Sequence, residues 1–267
     1  MTYRWEKGLN VLHARGQTDR AVAESIGGWI RTDSPVLRLV DCGSGNGNLL
    51  SRILSAGELP IECHIVIVEP DLTAAASARA TLSGAGYGNV TSTSSLDAFR
   101  RDFPGERAEV FLSIHSTYYL GSISDFVISV GQVLAANGAL LAAVKAENSG
   151  INSLAKTLNP KPRVQWGNEL ELYCDSSFTL VERREISTVL TFSADEFAAL
   201  EGGSLDTESE LIEFLEFASH LGREDFAPEG IQGVLRMAKF WKRDRRIEIP
   251  IIDVVYYFRK GKGHASH

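Results

Sequence analysis

The chain has 267 residues, 44% of them hydrophobic and 23% charged, with 27 Lys and Arg against 34 Asp and Glu for a formal charge of −7. This composition excludes a disordered chain, a collagen-like fibre and a disulfide-stapled mini-protein, and the length leaves room for one large domain or two small ones. An acidic balance argues against a chain whose main task is to grip a phosphate backbone.

Residues 1–36 carry no apolar core of a secretory signal and predict an N-terminal helical segment. Residues 36–40, apolar except for Arg38, predict a first strand, ended by Asp41, Cys42 and a cluster of glycines. Leu49, Leu50, Ile53 and Leu54 recur at helical spacing across 48–56. Residues 64–69 predict a second strand, with a continuous apolar run over 65–68 as a strand covered on both faces shows. An Ala-rich helix over 72–82 follows, then strands at 90–93, 110–114 and 139–144. Residues 126–144 are uncharged and long enough to span a bilayer, but Ser129, Gly131, Gln132 and the pair Asn137-Gly138 interrupt them. They predict a buried helix, a turn and a buried strand, and no membrane partner. Strands alternating with helices at these lengths imply a parallel sheet covered on both faces.

Residues 146–178 are irregular and broken by Pro160 and Pro162. Residues 179–186 predict a sixth strand. Ser193 and Glu196 form a capping box, with Phe192 and Phe197 spaced as a hydrophobic staple; Thr207 and Glu210 form a second box. The helix after it carries Leu211, Phe214, Leu215, Phe217, Ala218 and Leu221 on one broad face. A further helix covers 231–242, and 249–258 predict the last strand. Six basic residues between Arg236 and Arg246 surround Phe240 and Trp241. They are read as a helix with a solvated basic face and buried aromatics, with no nucleic-acid partner. Cys42, Cys63 and Cys174 are scattered and odd in number; they make no metal site and fit a reducing, cytoplasmic setting.

The segment richest in chemistry is Asp41-Cys42-Gly43-Ser44-Gly45-Asn46-Gly47-Asn48. It lies between a buried strand and a helix, where open α/β sheets bind ligands. A dinucleotide fingerprint requires G-x-G-x-x-G. Gly43 and Gly45 fit, but Gly47 comes one residue early and Asn48 stands at the last position. Alternate glycines after the acid Asp41 suit a ligand without phosphates. The second strand ends in Glu69, where a carboxylate can accept both hydroxyls of a ribose.

This glycine segment with Val66-Ile67-Val68-Glu69 resembles the first two motifs of class I S-adenosylmethionine-dependent methyltransferases. The likeness extends to the histamine N-methyltransferase group. Val68-Glu69-Pro70-Asp71 resembles that group's Val-Glu-Pro-Ser, Thr93-Ser94-Ser95 its Thr-Ser-Ser, and Ile114-His115-Ser116-Thr117-Tyr118-Tyr119 its fourth-strand Ile-Gln-x-x-Tyr-Tyr. Residues 209–215 resemble a late helix of the same group. The resemblance implies S-adenosyl-L-methionine as cofactor, with Gly43 and Gly45 lining its methionine part and Asp41, Ser44 and Pro70 among the cofactor-binding residues. It implies Glu69 at the ribose, Ser94 or Ser95 beside the adenine, and Ile114 packed near it. His115 stands where the group has a substrate-contacting Gln. The chain departs from the group at Ile151 and Ala155, where substrate-wall tryptophans stand, and near Pro250, where a last-strand Asn stands. Gln17 and Asp19 lie nearest the group's N-terminal acid. The acceptor is therefore left open.

An amine must be neutral to attack a methyl group, so a proton acceptor assists it. His115 is the candidate catalytic residue, as a base or as a pocket contact. Tyr118 and Tyr119 either wall a cation with their ring faces or pack. Trp166, Tyr173 and Trp241 are candidate substrate-pocket residues, and Tyr3 and Trp5 candidates for a lid. The predicted architecture is one α/β domain over 1–267, a Rossmann-like, seven-stranded, mostly parallel sheet with helices on both faces. Residues 37–145 form the cofactor-binding core, and insertions at 146–178 and 187–250 make a helical cap on the substrate side. The predicted activity is methyl transfer to a small molecule, at an amine nitrogen or a hydroxyl oxygen, by a monomer or homodimer. A cofactor-binding protein without catalysis is the alternative.

Overall fold

The computed structural model describes residues 2–31, 35–57, 59, 62–117, 122–159, 167–174, 177–202 and 209–261. In chain order the elements are α1 (Thr2–Arg15), α2 (Thr18–Gly27), β1 (Val36–Cys42), α3 (Asn48–Ala56), β2 (Glu62–Val68), α4 (Leu72–Gly84), β3 (Asn89–Thr93), α5 (Leu96–Asp102) and β4 (Ala108–Ile114). They continue with α6 (Ile123–Val133), β5 (Leu134–Lys145), α7 (Gly150–Leu158), α8 (Gly167–Cys174), β6 (Phe178–Ser193), α9 (Ala194–Glu201), α10 (Glu210–Ser219), α11 (Pro228–Trp241), β7 (Lys242–Arg243) and β8 (Arg246–Lys260). The chain divides into two compact units. The sheet unit comprises Arg20–Val144, Gln165–Glu185 and Val254–His267; the helical unit comprises Met1–Asp19, Lys145–Val164 and Ile186–Asp253.

The strands run in the order β3-β2-β1-β4-β5-β8-β6, with the two-residue β7 pairing β8 as an eighth. Every pairing among β3, β2, β1, β4 and β5 is parallel. Parallel strands covered on both faces need apolar side chains on both. Leu39, Val40, Ile65, Ile67, Phe111, Leu112, Leu140 and Leu141 are accordingly all buried. The chain steps outward from β1 to β2 and β3, then returns to place β4 on the other side of β1. That reversal creates a crevice beyond the carboxyl ends of β1 and β4, where sheets of this kind bind ligands.

The helices of the sheet unit start where short polar side chains satisfy their first amides. Asp71 accepts from the amides of Thr73 (2.8 Å) and Ala74 (3.0 Å) to begin α4. Ser95 accepts from Ala98 (3.1 Å) to begin α5. At its other end α6 is closed by the Lys260 ammonium, which donates to the carbonyls of Gly131 (2.6 Å) and Leu134 (2.8 Å). The uncharged 126–144 stretch is thus a buried helix followed by a strand, and no helix among the described residues is long and apolar enough to cross a membrane. Asn137-Gly138 falls inside β5 and not between two elements. The predicted turn is instead an irregularity within the strand. Asn137 is left-handed (φ 65°), and while β4 advances from Ala108 to Val110, β5 advances from Leu134 to Ala139. The extra residues form a bulge.

The helical unit has its own apolar core, built from α1, α7, α9, α10, α11 and the adjoining parts of β6 and β8. The Ser193–Glu196 capping box forms as predicted. The Phe192 and Phe197 rings meet edge to face at 6.2 Å. Phe192 also packs against Phe214 (5.6 Å) and lies under the Arg15 guanidinium (4.7 Å). Arg15 in turn bridges Glu196 (3.1 Å) and Glu210. Several strand bounds differ from the sequence reading, and β5 starts at Leu134 instead of residue 139. β6 continues to Ser193, so residues 187–193 are strand and not insertion, because Leu190 and Phe192 keep alternating inward. β8 begins at Arg246 and ends at Lys260. Thr207 of the second predicted capping box lies outside the described residues, and Ser209 precedes α10 instead.

Phe240, expected to be buried, is 79% exposed. On α11 the positions 234, 238 and 241 share one face, toward the core, and residue 240 falls opposite them. Lys239, Lys242, Arg243, Arg245 and Arg246 are solvated as expected.

Candidate functional site

Beyond β1 the chain is glycine at each point where a side chain would be strained. Gly43, Gly45 and Gly47 all have left-handed backbones, with φ of 78°, 53° and 78°. L residues with a Cβ avoid that region. A Cβ on Gly43 would stand 2.5 Å from the Cβ of Ser116, so this glycine lets the exits of β1 and β4 touch. A Cβ on Gly47 would stand 2.8 Å from the Cα of Ala78, so this glycine seats α3 against α4. A Cβ on Gly45 would meet nothing within 4 Å. Its left-handed turn faces open space, which is what a backbone cradle for a ligand requires.

Two carboxyl groups are fastened to this loop. Asp41, the penultimate residue of β1, is 4% exposed and accepts a hydrogen bond from the Ser44 hydroxyl. Burial pushes its pKa up to about 7; the Ser44 hydrogen bond opposes that rise and the charge of Glu69 adds to it. Glu69 follows β2. One of its oxygens accepts from the Gly45 amide (3.3 Å) and the other from the Asp71 amide (3.1 Å). Its own amide donates to Thr93 (2.9 Å), and the Gly43 amide donates to Val68 (2.9 Å). The loop, the β2 exit and the β3 exit are therefore one hydrogen-bonded frame. Cys42 is buried there, its thiol pushed up to about 12 by burial, with Asp41 and Glu69 adding to the effect.

The β3 exit presents Ser94 and Ser95, both exposed, with the Ser95 hydroxyl occupied as the cap of α5. Pro70 is exposed beside Glu69. Among the described residues the buried Thr93 hydroxyl has no hydrogen-bond partner. At the β4 exit Ile114 is buried, and His115 is left-handed (φ 55°) and half-buried, with its amide donating to Ala143 (2.8 Å). Ser113 and Ser116 share a buried hydrogen bond of 2.8 Å. The Thr117 hydroxyl is buried with no hydrogen-bond partner among the described residues. Buried hydroxyls left unsatisfied cost about 1–3 kcal/mol, so each such group calls for an explanation such as a ligand or a water. Thr93 and Thr117 escaped the sequence reading because no pattern reveals which hydroxyl goes unpaired.

The structure thus brings Asp41, Gly43, Ser44, Gly45 and Glu69 into one hydrogen-bonded loop, and seats Ser116, next to His115, against it. Tyr118, Tyr119 and Trp166 lie outside the described residues. Tyr173 is 45% exposed on α8 in the sheet unit. Trp241 ends α11 in the helical unit, half-buried against that unit's core. Tyr3 and Trp5 fall in the first turns of α1.

The helical unit holds Lys145, Asp253 and His13, which the sequence reading did not single out, together with Asp19, which it did. Lys145, at the end of β5, pairs with Asp253 of β8 at 2.7 Å, with side chains 8% and 0% exposed. His13 Nδ1 lies 2.5 Å from Asp19. Burial pushes the Asp253 carboxyl up, Lys145 pulls it back, and the charge of Asp19 adds to the rise. The available signal was a lone Asp within the apolar run 249–258.

No protein-family model and no curated protein matches this sequence. Among solved structures, the chain is similar to a protein described as a methyltransferase from Bacillus halodurans, with a TM-score of 0.59 and 15% identity over 92% of this chain and 100% of that one. It is similar to a protein described as a sarcosine dimethylglycine methyltransferase from Galdieria sulphuraria, with a TM-score of 0.53 and 14% identity over 92% of this chain and 86% of that one. It is also similar to the 4+2 cyclase SpnF, with a TM-score of 0.55 and 14% identity over 92% of this chain and 81% of that one. The fold is the Rossmann-like fold of class I methyltransferases. Nothing in these likenesses links the chain to the histamine N-methyltransferase group.

Proposed function

We propose that this chain is an S-adenosylmethionine-dependent methyltransferase that acts on a small molecule, at an amine nitrogen. The observation that carries the reading is the loop at the β1/β4 crevice, where an open left-handed glycine turn is tied to a carboxylate one strand away. The residues present fit a nucleoside carrying an amino-acid tail. Glu69 offers two oxygens to a ribose diol, and the Gly43–Gly45 backbone leaves room for a ligand to lie against it. Ser94, Ser95 and the partnerless Thr93 hydroxyl border the β3 side, where an adenine would follow the ribose. None of these groups requires a phosphate.

S-adenosylmethionine bound there supplies a methyl group already activated by its positive sulfur. The protein then has to align the acceptor and exclude water. His115 follows β4 directly, at the side of the crevice away from Glu69. In its neutral form the imidazole accepts the proton that an amine must lose. The partnerless Thr117 hydroxyl lies two residues on. A second reading, binding without methyl transfer, is favoured by the likeness to a cyclase of the same fold, since fold alone does not fix chemistry.

Conversion of S-adenosylmethionine to S-adenosylhomocysteine, measured against matched panels of small amines and alcohols, tests the reading. It requires turnover with at least one amine, and a His115→Gln variant slowed roughly a hundredfold at neutral pH with cofactor affinity unchanged. Turnover confined to alcohols overturns the amine assignment. Tight cofactor binding with no turnover on either panel favours the second reading.

A further inference from the structure

We propose that the end of α11 and the β7–β8 hairpin dock the helical unit on an anionic lipid surface, with Phe240 entering the bilayer. The inference is independent of the proposed methyl transfer. Residues 236–246 carry six basic side chains and one acidic one, Asp244, a net charge of +5 within a chain of −7. The remainder of the chain, at −12, is repelled by an anionic surface, which turns this tip toward it.

All six basic side chains are exposed. None of them forms an ion pair among the described residues, whereas Arg15, Arg20, Lys156 and Arg183 are each paired. Lys242 pairs with Ile247 and Arg243 with Arg246, so Asp244 and Arg245 form a two-residue turn. Asp244 is left-handed (φ 54°), as tight hairpin turns require. The Arg243 guanidinium donates to the carbonyls of Phe240 (3.4 Å) and Lys242 (3.0 Å), which ties the end of α11 to the hairpin. The Ala194 amide donates to the Arg245 carbonyl (2.9 Å) and anchors the hairpin to the start of α9. The acids this brings close are Asp195 and Glu196, and Glu196 is held by Arg15. Glu248, the next acid along β8, is half-buried. The tip therefore presents uncompensated positive charge on a hydrogen-bonded backbone.

Phe240 stands among these charges, 79% exposed, while Trp241 packs against the core. A lone exposed ring is ordinary, and so is a solvated basic helix end. Their coincidence is what a bilayer of anionic lipid fits. Its headgroups balance the charges, and each Lys or Arg near the surface adds attraction. Its interfacial layer takes up the ring. This is attachment to a surface and requires no membrane-spanning helix. A polynucleotide also balances the charges, but sites for it stack successive bases on several rings along a groove. Here one ring is exposed, beside a hairpin tip solvated at every residue from 242 to 246.

Co-sedimentation of the whole protein with vesicles tests the inference, using phosphatidylserine mixed with phosphatidylcholine, and phosphatidylcholine alone. Binding should require phosphatidylserine and fall as salt rises, because exposed charges are screened. Lys242→Ala combined with Arg245→Ala should weaken it roughly twenty-fivefold, about fivefold for each cation removed. Phe240→Ala should weaken it roughly tenfold and keep the salt dependence. These side chains are solvated, so each variant should melt as the wild-type protein does. No binding of the wild-type protein to phosphatidylserine vesicles overturns the inference, as does equal binding to phosphatidylcholine alone. Full binding by Phe240→Ala overturns it as well. Tighter, salt-sensitive binding of a single-stranded oligonucleotide, lost in the same variants, overturns the lipid assignment in favour of a nucleic acid. None of these outcomes depends on cofactor binding, so the cofactor reading stands or falls separately.

Discussion

The pair formed by Lys145 and Asp253 makes a quantitative prediction about the helical unit. At 2.7 Å the attraction between their charges is about 6 kcal/mol in an effective dielectric of about 20. Much of it offsets the loss of hydration, since the side chains are only 8% and 0% exposed. The Lys145→Met substitution removes the attraction and leaves the desolvated carboxylate behind, which costs about 3–5 kcal/mol. For a protein of this size that is a fall in Tm on the order of 10 °C. The carboxyl of Asp253 is already pushed up by burial, and losing its lysine raises it further. A carboxyl whose folded pKa lies above its unfolded value contributes stability at low pH, and that contribution is lost as pH rises through the folded pKa. The deficit of Lys145→Met should therefore be largest at pH 8 and shrink toward pH 5. Lys145→Met combined with Asp253→Leu should recover most of the loss. Thermal melts of the three variants at pH 5 and pH 8 check this. A single variant that melts within about 2 °C of the wild-type protein at pH 8 refutes the reasoning, as does a deficit independent of pH.

Three further substitutions test the frame around the loop and the helical core. Gly47→Ala forces a Cβ into left-handed backbone and against the Ala78 Cα at 2.8 Å, so it should cost about 2 kcal/mol or more by chemical denaturation and weaken cofactor binding. Ser193→Ala breaks the capping box of α9 and should cost about 1 kcal/mol in the same assay. Asp41 has a folded pKa of about 7 against an ordinary 3.8, so its contribution to stability should fall as pH rises across that window. Asp41→Asn should flatten this part of the pH dependence of denaturation, and an unchanged slope would refute the burial argument.

The site's frame was legible because its determinants are local. Three alternate glycines after a buried strand encode a turn that only glycine makes, and Glu69 is found by counting to the end of the next strand. The parallel core was legible from uninterrupted apolar runs such as 65–68. What escaped depends on neighbours distant in sequence. The partnerless hydroxyls of Thr93 and Thr117 are defined by the absence of a partner in space. Asp253 pairs with a lysine more than a hundred residues away. The continuation of β6 through 187–193 was present as alternation at Leu190 and Phe192, but the capping box at Ser193 drew attention to the helix after it. Phe240 was misplaced because it was assigned with Trp241 and not by its own position on the helical wheel.

Titration of S-adenosylhomocysteine into the wild-type protein and into Glu69→Ala tests the central claim most directly. A carboxylate that accepts the ribose hydroxyls contributes about 1.5–3 kcal/mol, so the variant should bind roughly tenfold to hundredfold more weakly while still folding. Undiminished affinity in Glu69→Ala would contradict the assignment of the glycine loop and the β2 exit as the cofactor site.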